Sequence, residues 1–238
     1  MILNADVKSL EWITYLFISQ DKNGIQEWFD FVDNPKLNDI HTKNQHDLSL
    51  LSRLISKVFL FRCIYRGPAF AYCHDPDFAN VSKNVKYWQN VIDKFFEKYY
   101  GLNECHIKLI QEVTKTGQNV SPFGRVHEHT QRNGEWYIPD ICNHINQGCG
   151  ADVMSVARVS FAGRWLDSKL EGKLISTVHD SIVLDLPESS VMPAKKMIDD
   201  VFKDMPMNIS KTLGVDWQLP LLCEVSVGRN MLDLKEIV

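Results

Sequence analysis

Arg53, Lys57, Phe61 and Tyr65 recur every fourth residue within the run 47–65. On a helix that spacing puts all four along one face, over roughly 18 Å at about 1.5 Å per residue. Two cations followed by two aromatics suit a nucleoside triphosphate. The cations hold phosphate oxygens, and the flat rings take sugar and base. The same pattern suits a helix with a solvated cationic edge and a buried aromatic end, a common arrangement on core-facing helices. Two carboxylates join this list. Asp6 ends a short apolar run at the N-terminus, and Asp180 sits between two strand-like runs. Acids held at strand ends can bind a pair of Mg²⁺ ions about 3.5–4 Å apart, which suits phosphoryl transfer. Turn aspartates also arise for purely local reasons.

The elements that must position these groups follow from periodicity and punctuation. Residues 2–6 read as a strand and 9–20 as an amphipathic helix, with a turn at 21–24. A short helix over 25–33 breaks at Asn34-Pro35. Residues 47–65 carry the strongest helical signal, with Asp47 or Ser49 as cap and Gly67-Pro68 as terminator. Two more helices are expected at 82–100 and 104–116, then a polar loop or hairpin over 117–137. Residues 139–168 read as helix, interrupted at Gly148 and Gly150. The clearest strands are 173–178 and 181–186, joined at His179-Asp180 and closed by Pro187. A helix over 191–213 and a strand over 219–228 complete the chain. Helices inserted between a few antiparallel strands define an α+β fold rather than alternating βα units.

Composition bounds the function. The chain has 238 residues, enough for one large domain or two small ones. Its 45% hydrophobic and 24% charged residues exclude a disordered, collagenous or coiled-coil chain. With 26 basic and 30 acidic residues, the net charge is -4. Nucleic-acid binding must then rest on a local basic patch, or share its phosphate contacts with a partner. No apolar run reaches the ~18 residues of a membrane span, and the N-terminus lacks the pattern of a secretory signal. Six cysteines without CxxC spacing suggest reduced, structural thiols in the cytoplasm, or in a host's cytoplasm if the source is viral. Cys73-His74 and Cys105-His106 are the only pairs that tempt a zinc reading.

In order along the chain, these residues resemble the A-family DNA polymerases, typified by bacterial DNA polymerase I and short phage replicative enzymes. The segment 6–11, AspValLysSerLeuGlu, resembles motif A, and AspIleHisThr at 39–42 the segment before the nucleotide-binding helix. Arg53, Lys57, Phe61 and Tyr65 resemble motif B. Gly124-Arg125 is similar to the pair that follows the fingers. Asn143, Gln147-Gly148 and Ala151-Asp152 match the helix that carries the family's Asn and Gln. Val178-His179-Asp180 resembles motif C, and 220–230 the C-terminal strand and tail.

The resemblance implies roles. Asp6 and Asp180 would bind two Mg²⁺ ions, with the Val7 carbonyl as a further ligand. Arg53 and Lys57 would hold the triphosphate, Lys57 protonating the leaving group, and His41 would add a phosphate contact. Phe61 and Tyr65 would pack on sugar and base, Tyr65 gating the template. Glu11 would fill the space that a 2′-hydroxyl needs. Arg125, Asn143 and Gln147 would touch template or primer, and His179 would lie beside the primer end. Three positions depart from the pattern. Arg66 follows Tyr65 where the family usually has Gly, so it either alters template gating or adds a phosphate contact to DNA. Ser181 replaces an acid after Asp180, and Pro139 stands where an Arg is common.

The implied architecture is a right-hand polymerase without thumb or exonuclease. Its palm comprises 1–26 and 130–238, an antiparallel sheet with flanking helices, and its fingers are the helical insertion 27–129. The implied partners are primer–template DNA, dNTPs and a second polypeptide carrying thumb, exonuclease and the remaining palm. Two alternatives stay open. One is a single-subunit-type RNA polymerase fragment, against which Glu11 argues. The other is a non-catalytic, polymerase-like DNA-binding accessory subunit, against which retention of Asp6, Arg53, Lys57 and Asp180 argues.

Overall fold

The computed structural model describes residues 1–237. Its order is β1 (Ile2–Val7), α1 (Leu10–Ser19), α2 (Lys22–Asp33), α3 (Ile40–Asp47), α4 (Arg53–Ile64), α5 (Ala69–His74), α6 (Pro76–Ala79), α7 (Val85–Lys98) and α8 (Tyr100–Thr116). Then come β2 (Gln118–Val120), β3 (Val126–Glu128), α9 (Ile138–Ser168), β4 (Lys173–Val178), β5 (Ser181–Asp185), α10 (Val191–Leu213), β6 (Cys223–Gly228) and β7 (Lys235–Glu236). The expected α+β class holds. The chain forms two compact units, 1–13 with 148–238, and 14–147.

The first unit is built on an antiparallel sheet ordered β4-β5-β1-β6-β7. β1 is central, with Leu3, Ala5 and Val7 buried and Asp6 exposed between them. This alternation is the period-two signature of a strand with one covered face. α10 carries a buried stripe of Ala194, Ile198, Val201, Phe202, Met205 and Ile209, at helical spacing.

The second unit is helical, apart from the β2–β3 hairpin. Behind α4, the ring of Phe59 lies 5.4 Å from Tyr72, 6.4 Å from Trp88 and 5.9 Å from Phe95. Ser56, Leu60, Cys63 and Ile64 are buried on the same side. Gly101 is fixed by close approach: a Cβ there would lie 2.8 Å from the Cα of Asp21. The Asp21 carboxylate in turn accepts from the Gly24 and Leu102 amides.

Several boundaries differ from expectation. Residues 21–24 are not a turn: Asp21 caps α2, its side chain accepting from the Gly24 amide at 2.8 Å. The helix expected from residue 47 begins at Arg53, capped by Ser52, whose Oγ accepts from the Ile55 amide. Ser49 lies at φ 55°, a left-handed residue that breaks the run. α9 is unbroken through Gly148 and Gly150. Glycine costs a helix about 1 kcal/mol, and here burial of Ile145, Cys149, Val153, Val156 and Ala157 overrides it. α3, α5, α6 and β7 are additional elements.

Candidate active site

In the first unit, sheet pairing sets the carboxylates. Asp6 lies opposite Ser181 on β5 and Glu224 on β6. The next amide, that of Val7, donates to the Asp180 carbonyl at 3.0 Å. Asp6 and Asp180 therefore stand at the same end of two neighbouring strands. Asp6 is exposed and Asp180 half-buried. Glu224 is held by Lys8, with Nζ 3.1 Å from Oε2. Ser181, in place of an acid, donates from Oγ to the Val178 carbonyl at 2.9 Å and so braces the β4–β5 turn. Between paired Val178 and Ser181 the turn has two residues, the shortest common hairpin loop. Its first residue, His179, is exposed and sits at φ 52°.

This donor set fits Mg²⁺. The ion takes oxygen ligands and is usually held by one or two carboxylates, with waters and substrate phosphates completing the shell. Two strand-end carboxylates meet that need. Among the described residues, no group of three or more His, Cys, Asp or Glu side chains gathers as a closed site would require. All six cysteines are free thiols. Burial pushes the Cys105 thiol up to about 11, so it is protonated at neutral pH. Glu11 lies in the first turn of α1, half-buried.

In the second unit, α4 presents Arg53 and Lys57 exposed, and Phe61 and Tyr65 half-buried. Its buried residues, Ser56, Phe59, Leu60, Cys63 and Ile64, lie to one side of that stripe. The aromatic end is thus not the core stripe that the alternative reading requires. Arg53 is held by Asp39 through two hydrogen bonds of 2.8 and 2.7 Å. Asp39 also caps α3, accepting from the Thr42 amide at 2.8 Å. Arg53 and Thr42 together keep the Asp39 carboxyl well below the usual carboxylate range, against the effect of its burial.

His41, on the first turn of α3, is buried, and its ring lies 6.4 Å from Phe61. Burial pulls its pKa down to about 4, against Asp39 and with Arg53 and Lys57. It is neutral at pH 7, and any phosphate contact would be a hydrogen bond from an uncharged ring. The Tyr65 hydroxyl accepts from Gln147 Nε2 at 3.0 Å. Asn143 precedes Gln147 by four residues on α9, so the two share a face. Arg125 is exposed beyond a tight turn in which Gly124 takes φ 83° and its amide bonds the Ser121 carbonyl. Arg66 is half-buried, its guanidinium engaged by Asn103, His106 and Phe96.

Sequence reading missed Asp39 as the partner of Arg53. An Asp immediately before a helix start is a cap signal, but nothing in the spacing ties it to a residue fourteen positions on. It also missed Asn103 and His106, which touch Arg66 only through tertiary packing.

The chain belongs to DNA polymerase family A, whose model matches residues 1–233. It is 24% identical to DNA polymerase I of Borreliella burgdorferi, over 97% of this chain and 25% of that protein. DNA polymerase I of Streptococcus pneumoniae is 21% identical over 99% of this chain and 26% of that protein. The DNA polymerase of Bacillus phage SP01 is 26% identical over 80% of this chain and 21% of that protein. The chain therefore spans about a quarter of the length of the relatives it matches. Among solved structures, it matches the POL domain of Pol1 from M. smegmatis in complex with DNA primer-template and dNTP. That match has a TM-score of 0.77 and 16% identity, over 96% of this chain and 39% of that one.

Proposed function

We propose that this chain carries the nucleotidyl-transfer chemistry of a template-directed DNA polymerase. The observation that carries the reading is the Val7 amide bonded to the Asp180 carbonyl, which puts Asp6 and Asp180 at one end of adjacent strands. Two Mg²⁺ ions fit Asp6, Asp180 and the Val7 carbonyl; when bound they supply Lewis-acid stabilisation of charge on the transferring phosphoryl group. The chain's own residues do the rest. Arg53 and Lys57 bind the triphosphate of a dNTP, and Lys57 holds the proton destined for the departing pyrophosphate. Neutral His41 donates a hydrogen bond to phosphate. Phe61 and Tyr65 take sugar and base, and Glu11 excludes a 2′-hydroxyl. Arg125, Asn143, Gln147 and His179 bind primer and template.

On this reading, 1–26 and 130–238 are palm and 27–129 fingers. Closure of α4 on a matched pair is the discriminating step, by induced fit. Primer–template DNA and dNTPs are the partners; the M. smegmatis structure that this fold matches was solved with both. The remaining polymerase segments come from the same or a second polypeptide. The net charge of -4 agrees with sharing the duplex-gripping charge in this way. The test is primer extension with Mg²⁺, with dNTPs and rNTPs supplied separately. Preferential dNTP incorporation that Asp180→Ala abolishes is expected. Ribonucleotide preference would favour an RNA polymerase, and full activity of Asp180→Ala an accessory role.

A further inference from the structure

Arg66 is the first residue beyond the C-cap of α4 and lies at φ 53°. Its amide donates to the Cys63 carbonyl at 2.9 Å, and the Gly67 amide to the Arg62 carbonyl at 2.8 Å. These are the paired bonds of a left-handed helix terminus, a position that favours glycine. Gly67, one residue later, does not use its freedom, since it is not at positive φ. An arginine thus bears the left-handed backbone, while the glycine beside it serves close packing, since a Cβ there would lie 3.2 Å from the Arg62 carbonyl oxygen.

The side chain offsets that strain. Nη2 donates to the Asn103 side-chain oxygen, and Nε to His106 Nδ1 at 3.3 Å. The guanidinium carbon lies 4.7 Å from the Phe96 ring centroid, within cation–π range. Asn103 and His106 belong to α8 and Phe96 to α7, so the end of α4 is tied to two other helices. The contact continues towards Tyr65. The buried His106 ring meets Tyr15 edge-on at 5.1 Å, and the Tyr15 ring lies 6.4 Å from that of Tyr65. The Tyr15 hydroxyl is itself fixed, donating to the Cys142 carbonyl at 2.5 Å.

We infer that Arg66 is a positioning residue: it anchors the C-terminal end of α4 to α7 and α8 and thereby sets Tyr65, so that it governs nucleotide discrimination instead of contacting DNA phosphate. With Nε and Nη2 engaged by His106 and Asn103 and the guanidinium carbon over the Phe96 ring, the half-buried group is held at the end of α4. The inference rests on the reading of Tyr65 as the template gate.

Arg66→Gly relieves the backbone and removes the anchor; Asn103→Ala removes the anchor and leaves the backbone alone. Both are read in the full chain by amide exchange over residues 63–67 and by primer extension with matched and mismatched dNTPs. Exchange in both variants is expected to quicken about tenfold through local opening. The ratio of mismatched to matched kcat/KM is expected to rise about tenfold, with matched kcat within about threefold. Arg66→Lys is expected not to rescue, because an ammonium lacks the guanidinium fork. Variants that extend primers with the wild-type misinsertion ratio would overturn the inference, whatever their exchange. So would an effect of Arg66→Gly that Asn103→Ala does not share. This chain completed by the remaining polymerase segments that still extends no primer sinks the polymerase reading itself, a distinct failure.

Discussion

Arg53 and Asp39 form a two-point ion pair, the guanidinium Nε and Nη2 each donating to a separate carboxylate oxygen at 2.8 and 2.7 Å. Two bonds of that kind fix the plane of the guanidinium as well as its position. Asp39 is in turn held by the start of α3, where it caps the Thr42 amide. The cation that the resemblance assigns to the triphosphate is therefore held by the carboxylate that caps α3, not left to sample its rotamers.

Asp39→Asn keeps the cap, since an amide oxygen still accepts from Thr42, but it loses the charge that orients Arg53. The KM for dNTP is expected to rise roughly three- to tenfold with kcat little changed, the pattern of lost uniform binding. Steady-state kinetics on the variant would show it. A fall in kcat at constant KM would place Asp39 elsewhere in the chemistry.

Two histidines predict an acid-sensitive limb of stability. Burial pulls His106 down to about 3, helped by Arg66, and His41 down to about 4. Both lie below the ordinary value of 6.5, so the unfolded chain takes up protons that the folded chain refuses. Their contribution is whole above pH 6.5 and falls as pH drops, each by up to about 1.4 kcal/mol per pH unit. Asp39, held low, begins to lose its contribution only as pH falls past the ordinary carboxyl value of 3.8. Urea midpoints measured between pH 6.5 and 5 isolate the histidines. Stability is expected to fall over that window, and His106→Asn is expected to shallow the slope. An unchanged slope would mean that His106 titrates freely.

His179 is a left-handed non-glycine residue in the turn that carries Asp180, a strain of about 1–2 kcal/mol. His179→Gly is expected to be as stable as the wild type or slightly more so, by thermal melting, while primer-extension activity falls several-fold. That split is what strain kept for position rather than for folding would give. A variant equally stable and equally active would show that the imidazole does nothing at the primer end.

Much of this was legible in the sequence, and the exceptions have physical causes. β4, β5 and α10 were read nearly to the residue. Pro187 and the short turn punctuate the strands, and α10 keeps its apolar spacing over its whole length. The expected run starts six residues before α4, because Leu48, Leu50 and Leu51 extend the apolar pattern while Ser49 turns the chain away. α5 and α6, of six and four residues, are too short to show a period. That Arg53, Lys57, Phe61 and Tyr65 share one face of α4 followed from spacing alone. The partners of its cations did not: Asp39 reaches Arg53, and Asn103 and His106 reach Arg66, only once helices pack, and no local pattern encodes those meetings.

The central claim is that Asp6 and Asp180 act together in nucleotide addition. The most direct measurement is single-nucleotide primer extension, titrated with Mg²⁺, comparing wild-type chain with Asp180→Asn, an isosteric change that keeps the hairpin and removes the charge. The expected result is loss of at least about 10³-fold in rate, as for removal of a principal charge-stabilising group, with circular dichroism and melting unchanged. Extension by Asp180→Asn at the wild-type rate would contradict the account.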